Sequence, residues 1–311
     1  MDIIIKNAKL RNGNKLVDIG ISNGKIIEIA NNISVDATEI IDAKENLVTE
    51  SFVNPHLHLC KVYTLTQMDN SALKSYHGEE MGAAMTAIEL AAKIKEKYDE
   101  KWILENVRKA LKLAVKYGNF HIRAFADVDS KAKLEGIKAL VKAKEEFKDV
   151  IELQIVAFPQ DGIIREPGTE KLLEESMAMG ADVVGGIPWI EYTEKDEQKH
   201  IDIAFKLAKK YNADISMLVD DAGDPGLRSL EKLAVSTLEN NWTGRVLAHH
   251  ARAMSMYSEP YLRKLIALLK KAKIGIVTDT HTGPLHARVK ELLQEKSLGV
   301  FGQKPATYPC R

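Results

Sequence analysis

The sequence carries no excess charge of either sign. Lys plus Arg and Asp plus Glu number 44 each, so the formal net charge is zero. That balance gives no electrostatic basis for binding nucleic acid or an anionic membrane surface. Cysteine is scarce: only Cys60 and Cys310 occur. Two thiols cannot build a disulfide framework, and they fit a reducing, cytoplasmic setting. No run of about 18 apolar residues occurs, so no membrane span is expected. The opening Met1-Asp2-Ile3-Ile4-Ile5-Lys6 has an acid and only three isoleucines before a lysine, which does not read as a signal peptide. What is present is apolar material. Hydrophobic residues make up 45% of 311, enough for one large domain with an appendage or for two domains.

Residues 1–50 read as a small β domain. Ile3–Lys6, Leu16–Ile21 and Lys25–Ile29 are β-rich, and Asn12-Gly13 and Asn23-Gly24 between them are hairpin signals. From residue 51 strands and helices alternate. Strands are expected at 51–57, 119–126, 151–157, 182–187, 213–219, 245–249, 274–278 and 298–301. Helices are expected at 83–117 (two), 131–147, 169–179, 195–211, 227–240, 258–272 and 286–296, with 3.6-residue spacing clear at Leu134, Ile137, Leu140 and Val141. Several strands are almost wholly apolar, as parallel strands buried on both faces are. The pattern predicts an α/β fold, a (β/α)8 TIM-type barrel over 51–301, for which about 250 residues is typical. A doubly wound sheet is the alternative, but no G-x-G-x-x-G follows the first strand. Only ten residues follow the eighth strand, so the barrel is expected to be C-terminally incomplete, with 302–311 an irregular tail.

Catalytic groups of such barrels sit at the C-terminal ends of the strands. The first strand ends in Asn54-Pro55-His56-Leu57-His58-Leu59. Alternation puts His56 and His58 on one face, where two imidazoles can meet one metal ion. A bare H-x-H is more often a pair of surface histidines; the strand context argues otherwise here. Later strand ends offer Gln160 and Asp161, then Trp189, then Asp220 and Asp221, then His249 and His250, then Asp279 and His281. His249 is expected to point away from the mouth. Asp220 and Asp221 read equally as turn or helix-cap residues. Trp189 reads as packing or as a wall for a flat ring. Cys60 shares the His56/His58 face, but a packed thiol is the simpler reading.

These segments resemble a family. N-P-H-L-H-L at 54–59, L-Q-I-V-A-F-P-Q-D-G-I at 153–163 and M-G-A-D-V-V-G-G-I-P at 179–188 are similar to the cytosine deaminase branch of the amidohydrolase superfamily. The likeness covers roughly 50–295, and the first fifty residues resemble the family's N-terminal β domain. It implies His56 and His58 as metal ligands, Gln160 on the amide edge of a pyrimidine, and His250 bonded to the attacking water or the substrate. The implied metal activates water near neutral pH, and a carboxylate after strand five shuttles the proton to departing ammonia. Aligned to the family's Asp-Glu pair, Asp221 stands in the place of its glutamate. From their strand-end positions, Trp189 is a candidate substrate wall beside its packing reading, and Asp279 and His281, which share a face, read equally as substrate-lining or as surface-loop residues.

The departures are specific. The family's strand-five metal histidine falls on Leu218, or on Ser216 in a shifted alignment. Its Gly-x-Asp-Asp run after strand eight is matched by Gly302-Gln303-Lys304-Pro305. Two of four implied ligands are therefore absent. The resulting expectation is a metal-dependent hydrolase acting on C–N bonds of a small, cytosine-like heterocycle, impaired in this chain, with one zinc or iron ion held weakly. The chain then reads as a truncated or frame-shifted form of an active parent, prone to self-association. The alternative is a catalytically inactive barrel that binds a small ligand or partner.

Overall fold

The computed structural model describes residues 1–67, 94–278 and 300–301. The expected helices within 83–93 and 286–296, the strand-seven residues Asp279 and His281, and the tail 302–311 lie outside the described residues. The chain divides into two compact units, Met1–Ser51 and Phe52–Arg311.

The first unit is a five-stranded sheet. β1 (Ile3–Leu10), β2 (Leu16–Ser22) and β3 (Lys25–Ala30) form an antiparallel meander, while β4 (Glu39–Asp42) and β5 (Leu47–Val48) both run parallel to β1. The β2–β3 turn has positive φ at both Asn23 (51°) and Gly24 (69°), the primed-turn geometry that Asn-Gly supplies. β4 and β5 are too short for a period to reveal them. Ile4, Ala8, Ile19 and Ile33 form the buried interior. Asp18 stitches it: its carboxylate accepts from Lys6 Nζ at 2.7 Å, Ile33 N at 2.9 Å and Asn7 N at 3.1 Å. Burial opposes that charge, but these donors outweigh it and hold the carboxyl below its ordinary range.

Among the described residues, the second unit is a parallel sheet of eight strands in sequence order. The strands are β6 (Phe52–Leu57), β7 (Asn119–Asp127), β8 (Glu152–Phe158), β9 (Val183–Gly186), β10 (Asp214–Val219), β11 (Val246–His250), β12 (Gly275–Val277) and β13 (Val300–Phe301). Among the described residues, the helices between them are α1 (Glu100–Lys116), α2 (Glu135–Glu146), α3 (Thr169–Ala178), α4 (Glu194–Tyr211), α5 (Ser229–Glu239) and α6 (Glu259–Ala272). Among the described residues β13 and β6 are the unpaired ends of this sheet, so the architecture is a nearly closed TIM-type α/β barrel. Among the described residues, no helix is long and apolar enough to cross a membrane.

Several of the central strands feed two apolar layers. Ala124, Ala126, Ile155, Ala157, Ile215, Met217, Val246 and Ala248 pack with the helices in the larger core. The alternate positions turn the other way: Phe125, Val156, Phe158, Val183 and Leu218 form a separate inner cluster with Ile187. On β11 this phase places Leu247 and His249 with the inner set. β9 is narrow where the layers crowd. A Cβ on Gly185 would lie 2.4 Å from the Ala157 carbonyl oxygen, so only glycine fits.

Candidate active site

His56 lies on β6 and His58 immediately follows it, leading into a 3-10 turn at Leu59–Lys61. Their ring centroids are 5.1 Å apart. Phe125, from the neighbouring strand, packs against both rings, at 4.6 and 5.2 Å. The His250 ring is 4.8 Å from His56. The first and sixth strands thus deliver their histidines to one mouth.

His249 overturns the sequence expectation that it points away. Its ring is 4.7 Å from that of His56, and the two Nδ1 atoms are 2.9 Å apart. Its Nε2 is 2.6 Å from the Ser216 hydroxyl on β10. The reason is the phase of β11: His249, not His250, occupies the inward strand position. His250 reaches the mouth because its backbone turns left-handed (φ 68°), followed by Ala251 (φ 49°), which breaks the alternation. Burial drives the His249 ring pKa well below the usual value, with neighbouring histidines adding to the shift.

A second cluster joins β7 and β8. Asp127, fully buried at the end of β7, is 3.0 Å from Lys61 Nζ and 3.9 Å from both Lys95 Nζ and His58 Nδ1. Lys61 also donates to Gln160 Oε1 at 2.6 Å. Lys95 donates to Asp129 at 2.7 Å and Asp161 at 2.8 Å. Burial disfavours the Lys95 charge, but the three aspartates outweigh it and raise its pKa. Burial raises the Asp127 pKa, with the two lysines opposing. Lys61 and Asp127 were not singled out from the sequence. Asp127 carried the same signal as the others, a carboxylate at the end of a barrel strand. Cys60 is buried, accepts from the Asp127 amide at 3.3 Å, and its thiol is pushed up to about 12, so it offers no thiolate.

The Asp220-Asp221 pair splits into two roles. Asp220 is fully buried and accepts from Ser229 N at 2.7 Å, Ser229 Oγ at 2.5 Å, Tyr257 Oη at 2.9 Å and Leu230 N at 3.2 Å. It caps α5 and ties down the loop after β10. Asp221 faces the histidines: its carboxylate is 3.9 Å from His250 Nδ1 and 3.2 Å from the Arg252 guanidinium. Trp189 packs against the inner cluster beside Ile190. Its indole nitrogen is buried without a hydrogen-bond partner among the described residues. Glu191 is structural: it accepts from the amides of Ile163, Ile164 and Arg165 and from His200.

His56, His58, Gln160, Asp221 and His250 therefore belong to one continuous group. A metal ion can be tested against it. His58 Nδ1 is buried without a hydrogen-bond partner among the described residues, and imidazole suits zinc and similar ions. Two donors fit, but among the described residues no three His, Cys, Asp or Glu side chains are arranged to hold an ion. Leu218, in the implied strand-five ligand slot, is buried in the inner apolar cluster.

The sequence profile of the Amidohydrolase family matches residues 39–303. The N-isopropylammelide isopropyl amidohydrolase of Pseudomonas sp. (strain ADP) is 34% identical over 295 residues, covering 94% of this chain and 72% of that protein. The 5-methylcytosine deaminase of Klebsiella pneumoniae, crystallised with 5-fluorocytosine, superposes with a TM-score of 0.84 at 29% identity, covering 96% of this chain and 73% of that one. The N-isopropylammelide isopropylaminohydrolase of Burkholderia multivorans shares the fold, with a TM-score of 0.73 at 23% identity, covering 96% and 74%. With a barrel whose first and sixth strands bring histidines to one mouth, and a family profile spanning most of its length, the chain belongs to the amidohydrolase family of metal-dependent hydrolases.

Proposed function

We propose that the chain hydrolyses an exocyclic C–N bond of a small oxo-substituted nitrogen heterocycle, releasing ammonia or an amine. The observation that carries this is the placing of Asp221 3.9 Å from His250, whose ring is 4.8 Å from the His56 of the H-x-H pair. The similarity to a 5-methylcytosine deaminase and to an N-isopropylammelide amidohydrolase supports the substrate class.

His56 and His58 would hold a divalent ion, zinc or iron. Such an ion supplies Lewis acidity, polarising the attacked carbon and making water a better nucleophile near pH 7. His250 orients the attacking water. Asp221 takes its proton and returns it to the leaving nitrogen, with Arg252 fixing the carboxylate by an ion pair. Gln160 binds the ring's amide edge. Its Oε1 is engaged by Lys61, which leaves its amide N–H groups as the donors that would select an acceptor such as a ring carbonyl. Trp189, packed on the inner cluster with its N–H unpartnered among the described residues, is assigned as a wall for a flat ring, and His281 is assigned to the substrate side from the sequence alone. A small molecule is the partner; neither nucleic acid nor membrane is called for.

With Leu218 in the strand-five slot, turnover should be slow. The same residue favours a second reading, a barrel that binds the heterocycle without hydrolysing it. The discriminating experiment measures ammonia and isopropylamine release from 5-methylcytosine and N-isopropylammelide, with and without added zinc, beside calorimetric binding of each. Slow, zinc-dependent release supports the enzyme. Binding without release supports the second reading, and neither binding nor release would remove both.

A further inference from the structure

The three side chains Ser216, His249 and His56 form an unbroken hydrogen-bonded row across β10, β11 and β6. Ser216 Oγ is 2.6 Å from His249 Nε2, and His249 Nδ1 is 2.9 Å from His56 Nδ1. Ser216 and His249 are both fully buried, so neither meets substrate. A neutral imidazole has one N–H and one lone pair. The row therefore has two polarities. In one, Ser216 donates to His249, His249 donates to His56, and His56 carries its proton on Nε2. In the other, His56 donates Nδ1–H to His249, and His249 donates Nε2–H to Ser216 Oγ. Only the second leaves the lone pair of His56 on Nε2, the nitrogen a metal ion would use. Ligating histidines ordinarily donate their other ring N–H to an acceptor that fixes tautomer and ring orientation.

We propose that His249 is a positioning residue. It accepts Nδ1–H from His56, is itself anchored by Ser216, and so holds His56 in the tautomer that can ligate a metal. The proposal rests on the reading of His56 as a metal ligand. It assigns a role to the two inward residues that flank Leu218, one before it on its own strand and one beside it on the next.

The test is made on the metal-free chain first. Long-range 1H–15N spectra with 15N-histidine, with the His56 signals assigned by their loss in His56→Ala, locate the ring protons. A His56 proton on Nδ1 and a His249 proton on Nε2 are expected. A His56 proton on Nε2 overturns the proposal, whether or not the chain binds metal or turns over substrate. Zinc affinity is then measured by competition with a chromophoric chelator, with thermal unfolding as a check on folding. His249→Phe and Ser216→Ala should each weaken zinc about tenfold or more. His249→Asn, whose carboxamide oxygen can still accept, should recover most of the loss. Affinity within about twofold of the parent in both His249→Phe and Ser216→Ala would equally overturn it. If the parent binds no zinc, the reading of His56 as a ligand fails, while the ring-proton positions still decide the role of His249.

Discussion

Leu218 and His249 stand side by side in parallel register on β10 and β11, both directed to the inner layer of the barrel. The leucine occupies the position where the family resemblance implies a metal histidine, and the neighbouring histidine points the same way but is spent on His56 and Ser216. On the proposed reading of His56 and His58 as metal ligands, the inner layer is one imidazole short of a three-ligand site.

Leu218→His should supply it. Catalytic zinc sites usually have three protein ligands, so the variant should bind zinc at least about tenfold more tightly by chelator competition. Burying a polar ring in the Phe125–Phe158 cluster should cost about 1–3 kcal/mol in the metal-free state. Unchanged zinc affinity in a folded variant would remove Leu218 from the ligand position.

Stability should fall in mild acid. Burial lowers the ring pKa values of His58, His200 and His249 from an ordinary 6.5. Below about pH 6.5 the unfolded chain binds protons that the folded chain refuses, so stability is full above that pH and is lost as pH falls below it. Melting temperature should drop by about 5 °C or more between pH 7.5 and 5.5. Burial raises the Asp127 pKa, a shift of the opposite sense. A flat profile would contradict the burial of these rings.

Asp220→Ala should destabilise without touching the chemistry. The substitution strands donors from Ser229, Leu230 and Tyr257 around a buried void. A cost of about 3 kcal/mol or more is expected in urea unfolding, since hydrogen bonds to charged acceptors are worth roughly 1.5–3 kcal/mol each. Ser229→Ala should cost less, because the backbone amide of residue 229 remains. A loss under about 1 kcal/mol would refute the capping role.

Self-association should be measurable. Ile26, Ile27 and Ile29 on the edge strand β3 and Ile40 and Ile41 on β4 are exposed. An apolar edge of this kind pairs readily with another chain. Light scattering should show concentration-dependent association that Ile27→Lys reduces. A monodisperse monomer at high concentration would argue against it.

Much of the barrel is legible locally. Strand and helix periods place β6 to β13 within a few residues, because most of the parallel strands are short apolar runs and the described helices between them have clear 3.6 spacing. The H-x-H pair, Gln160, Asp221 and His250 are also visible, because strand ends converge on one mouth in this architecture. What the residues cannot express alone is which of two adjacent groups faces the site. Asp220 and Asp221 are chemically identical, and Ser229 with Tyr257, distant in sequence, turns the first into a cap. His249 and His250 differ only by strand phase and the left-handed turn at His250 and Ala251, which packing of β11 between β10 and β12 settles. Lys61, Lys95 and Asp127 meet only after three separate segments fold together, where burial makes pairing obligatory. Local pattern determined the barrel and the identity of its strand-end groups; long-range packing decided their orientation, partners and charge.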